Sequence, residues 1–356
     1  MFSRIKLKLR RDLVKKLGVL PANNYYLDNP VGKQRDDVQR LSVYSKAINF
    51  SRVSLTDKSA ELTYSYPRRY VYRIPNAIIE PVSGLIYDQH GKLIAESSSW
   101  NITRLLCEIP RPYITPPKNR LRGDYIFCPS TPNYYHWLLE ELPAFLGALD
   151  TEKSSNVLTG SRDFKPMKEF FQKSGLPIKK LVSPVQVDYL VMVGKTSGFG
   201  SPYGHNTVHP HDVKIVEERF KNIFSECYSQ EIPKKKIYLS RTGLRRSPEG
   251  EHKLDVELKK LGFYIFDGKA TLSEQVSLFS EASLVVGASG AAMTNIMWVP
   301  KSCKLLKLNL DSERFHFFND LSLMRDMEFD SLDIAGREWS DDDVFKIVGW
   351  IKSHIS

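Results

Sequence analysis

The sequence predicts an α/β protein of two domains. The 356 residues exceed one ordinary domain and suit two of average size. From residue 124 onward, short apolar β-prone runs alternate with helical patterns, which implies parallel strands joined by crossover helices. Hydrophobic residues make up 42% and charged residues 26%, a globular and not a disordered composition. No apolar run approaches the roughly 20 residues of a membrane span. Basic residues thread the apolar ones at the N-terminus, so no secretory signal is expected. Cys107, Cys128, Cys227 and Cys303 are scattered with no CxxC pair, which speaks against a disulfide framework or zinc knuckle and fits a reducing cytosol. The formal charge of +10 suits a polyanionic partner: phosphorylated substrates, anionic lipid or nucleic acid.

The elements follow in order. Residues 1–18 hold Arg4, Lys6, Lys8, Arg10, Arg11, Lys15 and Lys16 against Asp12 alone. As a helix, this segment aligns Ile5, Leu9, Leu13 and Leu17 in an apolar stripe beside a basic one. It reads either as an amphipathic helix on an anionic membrane surface or as a solvated helix packed on its own protein. Residues 19–120 read as a β-rich preamble, with β-prone stretches at 70–74 and 77–79 and a hairpin turn at Asp88-Gln89-His90-Gly91. A buried strand is expected at 124–128. Thr131 and Pro132 then open a helix over 133–149, capped by Thr131 and bent at Pro143. A strand at 156–159, a helix at 165–173, a strand at 185–193 and a helix at 211–227 follow. Residues 230–236 read as a linker, so the first domain spans 19–230 and the second 231–356. In the second, strands are expected at 237–239, 263–266, 284–286 and 304–308, and helices at 251–261, 274–280 and 291–298. Ligands of parallel sheets lie outside the carboxyl ends of the strands, which points at Ser240-Arg241, Asp267-Gly268 and residues 287–290.

Three constellations lie at such ends. On the helix Asn133-Tyr134-Tyr135-His136-Trp137-Leu138-Leu139-Glu140-Glu141-Leu142-Pro143, His136 and Glu140 are four apart and share a face. They suit an acid–base pair, and equally an ordinary helix-surface pair. Ser240-Arg241, with Arg245 and Arg246 close behind, suits bidentate phosphate binding, and equally a solvated basic loop. The third is Gly287-Ala288-Ser289-Gly290-Ala291-Ala292-Met293-Thr294-Asn295. A turn of small residues between strand and helix presents backbone N–H groups to an anion. It matches neither GxGxxG, GxSxG nor a GK[ST] loop. The Asp341-Asp342-Asp343 run follows Ser340 and reads as a helix start, so no metal site is expected.

Together these stretches resemble glycosyltransferase family 61, whose bacterial members include capsular and cell-surface polysaccharide enzymes. The resemblance runs over about residues 124–308. It adds Tyr238-Leu239-Ser240-Arg241 with Glu251 downstream, Gly262-Phe263, Glu274-Gln275 and Ala282 to the first and third constellations. Two positions depart from the family pattern. Glu140 stands where an Asp is usual, and Ser289 stands where the family reads His-Gly-Ala.

The resemblance implies two Rossmann-like domains facing a cleft (the GT-B type), an inverting mechanism, no metal and no cofactor. The substrates would be a nucleotide-sugar donor, expected to be UDP-linked, and a growing cell-surface glycan: capsule, lipopolysaccharide or exopolysaccharide. On this reading Glu140 is the leading base, with His136 its partner or alternative, and Asn133, Tyr135 and Trp137 line the acceptor side or cleft. Arg241 and the backbone of Gly290, Ala291 and Ala292 hold the leaving phosphate with Arg245 assisting. Ser289, Thr294 and Asn295 reach phosphate or sugar, and Ser240, Glu251 and Glu274 complete the set. Such an enzyme would work in the cytoplasm, peripheral to the inner face of the membrane through residues 1–18. The competing readings are a binding-only degenerate transferase, a basic polyanion-binding protein and a dehydrogenase. Nucleic acid is not expected, since nothing resembles an RNA-recognition strand or helix-turn-helix. A dehydrogenase would need the glycine fingerprint and its ribose-binding acid.

Overall fold

The computed structural model describes residues 38–46, 48–53, 61–66, 68–91, 93–94, 97, 117–153, 156–194, 208–244, 246–310, 317–334, 336 and 338–355. The basic segment 1–18, Cys107 and Arg245 lie outside the described residues. The chain divides into two compact units, Met1–Val216 and Glu217–Ser356. Both are mixed α/β with parallel strands.

In the first unit, β1 (Gln39–Ser45), β4 (Arg69–Pro75), β7 (Arg120–Cys128), β8 (Asn156–Thr159), β9 (Ile178–Lys180) and β10 (Val185–Val193) form one sheet in the order β1-β4-β10-β7-β8-β9. β10, β7, β8 and β9 run parallel. β10 reads Val-Gln-Val-Asp-Tyr-Leu-Val-Met-Val, an apolar run suited to a strand buried on both faces. The preamble is not a layer of its own. β4 pairs antiparallel with β10 from Tyr189↔Pro75 to Val193↔Val71, and β1 pairs with β4. The short strands β5 (Ile78–Ile79) and β6 (Ile86–Tyr87) extend the sheet, while β2 (Ile48–Val53) and β3 (Glu61–Tyr66) form a separate hairpin. The turn after β6 is as expected, with Gly91 at φ 74° and an antiparallel bridge between Tyr87 and Leu93.

The helix after β7 is where sequence and structure differ most. It comprises α1 (Tyr134–His136), a π-helical segment Trp137–Glu141 and α2 (Leu142–Thr151). Its cap is Asn133, which accepts the His136 N–H, and not Thr131, whose hydroxyl donates to Glu141 instead. Pro143 falls in the first turn of α2, directly after the π-helical segment. Its ring has no N–H and would meet the carbonyl one turn back. The wider π-turn, in which Leu142 N–H reaches the Trp137 carbonyl, accommodates it. α3 (Lys165–Ser174) sets Phe170 against Trp137 and Phe171 against Phe145 of the preceding helix, and ends on Gly175 at φ 66°.

A buried ion pair keys the preamble strands to α4 (Pro210–Ile223). Arg69 and Asp212, 8% and 2% exposed, are in contact, and Tyr44 donates to the same Asp212 oxygen at 2.8 Å. Arg69 also donates to the Gly194 carbonyl and lies 4.6 Å from the Tyr44 ring centroid. Tyr44 packs on Gly147, where any Cβ would come within 2.2 Å of its ring. Burial, then the Arg69 charge, pushes the neighbouring His209 down to about 4, so it stays neutral and accepts the His211 N–H at Nδ1. Breaking a buried pair strands a charge, so Asp212→Ala is expected to destabilise the first unit by about 3–5 kcal/mol. Urea unfolding followed by a probe in that unit checks this, and a loss within about 0.5 kcal/mol, typical of an exposed site, would refute it.

The second unit holds a wholly parallel sheet: β11 (Lys235–Leu239), β12 (Phe263–Phe266), β13 (Ala282–Ala288), β14 (Lys304–Leu310) and β15 (Phe329–Ile334). Their order, β12-β11-β13-β14-β15, is the doubly wound 2-1-3-4-5 arrangement, whose switch point lies between β11 and β13. On one face, α5 (Glu251–Lys260) and α8 (Asp341–Lys352) bring Leu254, Leu258, Ile347 and Ile351 against Tyr238, Val286, Leu306 and Leu308. On the other, Phe279 of α6 (Leu272–Ser280) meets Phe266, and Phe220 stacks on Trp298 at 4.2 Å. α7 (Phe317–Met324) and β15 are additions to the elements expected from sequence. The aspartate run does start a helix, with Ser340 and Asp343 forming a capping box. Among the described residues no helix is long and apolar enough to cross a membrane.

Candidate active site

Each unit carries a candidate site at the carboxyl ends of its strands. In the first, α1 begins beyond β7, where β10 lies on one side and β8 on the other. His136 Nδ1 and Glu140 Oε2 are 2.8 Å apart, their side chains 24% and 2% exposed. A carboxylate can only accept here, so Nδ1 carries the proton and Nε2 is the ring's other nitrogen. Tyr135 stands edge-on to the imidazole with centroids 5.4 Å apart. The ring is thus fixed in tautomer and orientation by two buried neighbours. Glu140 Oε1 is buried and makes no hydrogen bond among the described residues.

Two residues expected on the acceptor side are core residues. Trp137 is fully buried, with Tyr134 stacked on it and Phe164 and Phe170 edge-on at 5.6 and 6.1 Å. Tyr135 is 5% exposed. Both serve packing because the helix turns these aromatic faces inward, towards α3 in the case of Trp137. Asn133 is exposed and caps the helix.

In the second unit, the switch point brings Ser240-Arg241 beside Ser289-Gly290. Arg241 is half-buried and donates from Nη1 to the Ser289 carbonyl at 3.1 Å. Its backbone N–H donates to Glu251 Oε1 at 3.0 Å. Glu251, 1% exposed, also accepts from the Tyr238 hydroxyl and the Ser247 hydroxyl. Burial above all raises the Glu251 carboxyl above its ordinary range, against the opposing hydrogen bonds. Asp267-Gly268 is an exposed turn in which Lys269 pairs with Asp267.

The turn after β13 departs from expectation. Ala291–Met297 is a 3-10 helix of seven residues and not an α-helix over 291–298. A short 3-10 turn has a weaker dipole than a full helix, so any anion contact here is with individual N–H groups. Ala291 is exposed and Ala292 half-buried. Thr294 and Asn295 are fully buried, so they do not line an open site. Asn295 instead donates to Gln275 at 2.9 Å and to the Ala292 carbonyl, tying the turn to α6. Ser289 Oγ is buried and makes no hydrogen bond among the described residues, though the Ser289 carbonyl holds Arg241. Glu274 is the capping-box partner of Thr271, whose N–H and hydroxyl lower its carboxyl below the ordinary range. It is exposed, and its geometry accounts for it as a cap.

Residues 134–306 match the family model described as Glycosyltransferase 61. The chain carries a glycosyltransferase 61 domain. The matched stretch starts at the first residue of α1 and ends inside β14, so it includes both candidate sites and excludes the preamble strands. The protein is a glycosyltransferase, and a glycosyltransferase requires a sugar donor and an acceptor. No curated protein shows a significant match to the chain.

Sequence reasoning missed the Tyr44, Arg69, Asp212 and His209 cluster and the role of Asp255, described below. A local signal for the former does exist. His209-Pro210-His211-Asp212 places proline at a helix start with an acid in its first turn.

Proposed function

We propose that this glycosyltransferase 61 enzyme transfers a sugar from a nucleotide sugar, with inversion and without a metal, to a growing cell-surface glycan. The observation that carries the reading is the His136–Glu140 pair, held at 2.8 Å with only the histidine open to solvent. On this reading His136 Nε2 takes the proton of the acceptor hydroxyl as its oxygen attacks the anomeric carbon. The bond from that carbon to the donor phosphate breaks on the opposite side, and the nucleoside diphosphate leaves with the electron pair. Buried Glu140 stabilises the imidazolium, as an orienting carboxylate does in a catalytic triad. These roles reverse the order expected from sequence, because the carboxylate sits behind the ring. Arg241, the Gly290 to Ala292 backbone and Arg245 would meet the charge on the leaving diphosphate. The domains would be Rossmann-like and of the GT-B type, acceptor side first and donor side second. The enzyme would act in the cytoplasm.

A thermal-shift panel of nucleotide sugars in chelator tests this. One donor, UDP-linked by expectation, should raise the unfolding temperature by mass action, and transfer should proceed in the same buffer. Stabilisation by none would favour a binding-only protein. Dependence on added manganese or magnesium would overturn the metal-free mechanism.

Two glycines separate fold from donor binding. Gly287 has a steric reason, since a Cβ there would lie 2.7 Å from Leu239 Cβ. Gly290 has none: its φ is −176°, and a Cβ would meet only the Ala288 carbonyl at 3.9 Å. Gly287→Ala should therefore destabilise the second unit by about 1–3 kcal/mol. Gly290→Ala should leave stability unchanged or raise it by about 0.4–1 kcal/mol, yet weaken donor binding about tenfold by blocking close backbone approach. Unaltered donor affinity in Gly290→Ala would remove this turn from the site.

The membrane role of residues 1–18 rests on the stripe pattern alone. Their deletion should abolish binding to anionic vesicles and spare catalysis in solution. Equal vesicle sedimentation of both forms would refute it.

A further inference from the structure

We propose that Asp255 and Glu251, two carboxylates one turn apart on α5, are positioning residues that hold the Ser240-Arg241-Thr242 segment ready for the donor diphosphate. The inference rests on the reading of Arg241 as the diphosphate ligand. All three residues of the segment are held. The Ser240 hydroxyl donates to Asp255 Oδ2 at 3.0 Å and accepts the Thr242 N–H at 3.2 Å. The Thr242 hydroxyl donates to the same Asp255 oxygen at 2.8 Å. Between them, the Arg241 N–H donates to Glu251 at 3.0 Å, while its guanidinium donates to the Ser289 carbonyl at 3.1 Å. Arg241 is thus fixed at both ends, by α5 at its backbone and by the β13 turn at its head.

Stability does not explain the arrangement. Glu251 stands at a helix start, where the dipole and the local N–H groups favour a carboxylate. Asp255 lies a turn further in, beyond that influence, and like charges four apart on a helix repel. Its second oxygen, Oδ1, is buried and makes no hydrogen bond among the described residues. Glu251 is buried as well, and Asp255 adds to the rise of its carboxyl. Two adjacent carboxylates turned into a loop, one with an unmatched oxygen, are a net burden on the fold. What they provide is a guanidinium that does not have to be ordered when the donor arrives, and preorganised charge acts most strongly in the transition state.

The test is a double-mutant cycle read by titration calorimetry with UDP, GDP, CDP and dTDP, using whichever binds the wild-type chain most tightly. Asp255→Ala should weaken that diphosphate about tenfold, and Asp255→Asn, which keeps an acceptor oxygen, should recover part of the loss. Thr242→Val, at an exposed position that cannot unfold the unit, should weaken it about threefold. In an Arg241→Ala background, Asp255→Ala should have no further effect, because its influence passes through Arg241. Hydrogen exchange should show the 238–250 segment losing protection in Glu251→Ala while the other strands of the unit keep theirs. A tenfold loss that persists without Arg241, or unaltered affinity in both Asp255→Ala and Thr242→Val, overturns the inference while leaving Arg241 as a ligand. If Arg241→Ala itself binds the diphosphate normally, or no diphosphate binds, the donor-site reading fails and takes the inference with it.

Discussion

His136→Ala is expected to lower turnover about 10²–10⁴-fold with little change in donor affinity. The imidazole is the only member of the pair with an open edge, and Glu140 is 2% exposed behind it. Glu140→Gln keeps the size of the side chain but removes the charge that favours the imidazolium. It should reduce turnover as well, by a smaller factor, since the base itself remains. Steady-state kinetics on both variants checks this. Wild-type turnover in His136→Ala would place the base elsewhere, and wild-type turnover in Glu140→Gln would make that carboxylate a packing residue.

Arg241→Ala should reduce turnover by about 2–4 kcal/mol in transition-state stabilisation, roughly 30- to 1000-fold. The fold should persist, since the side chain gives up a hydrogen bond to Ser289 and fills no core. Arg241→Lys keeps the charge but not the planar fork, so it should recover only part of the rate. The measurement is single-turnover transfer alongside donor affinity. A normal rate in Arg241→Ala would show that the guanidinium is a structural brace between two loops.

How much of this was legible follows from the range of each interaction. The strand at Phe263–Phe266 and the helices at Lys165–Ser174 and Glu251–Lys260 stand where local pattern places them, because period and turn residues are properties of neighbours. The spacing of His136 and Glu140 is visible for the same reason. Their unequal exposure is not, since it depends on what packs over the helix. Tyr135 and Trp137 show the same limit: an aromatic on a helix suits a cleft or a core until Phe164 and Phe170 are seen to meet Trp137. Arg69 and Asp212 stand 143 positions apart, and no local rule couples them. The turn at Ala291–Met297 is too short for its period to separate a 3-10 helix from an α-helix.

The π-turn at Trp137–Glu141 bears on how relatives of this chain should be aligned and engineered. Removing one residue between His136 and Pro143 would let the segment close as a regular α-helix. A π-turn takes up one extra residue within a single turn, so that deletion would leave the facing of α1 relative to α2 nearly unchanged and return the Pro143 ring to the carbonyl one turn back. Asn133 and Gly147 would keep their places, while the side chains inside the turn would change direction. A one-residue gap in this stretch is therefore a local event, confined to the turn itself.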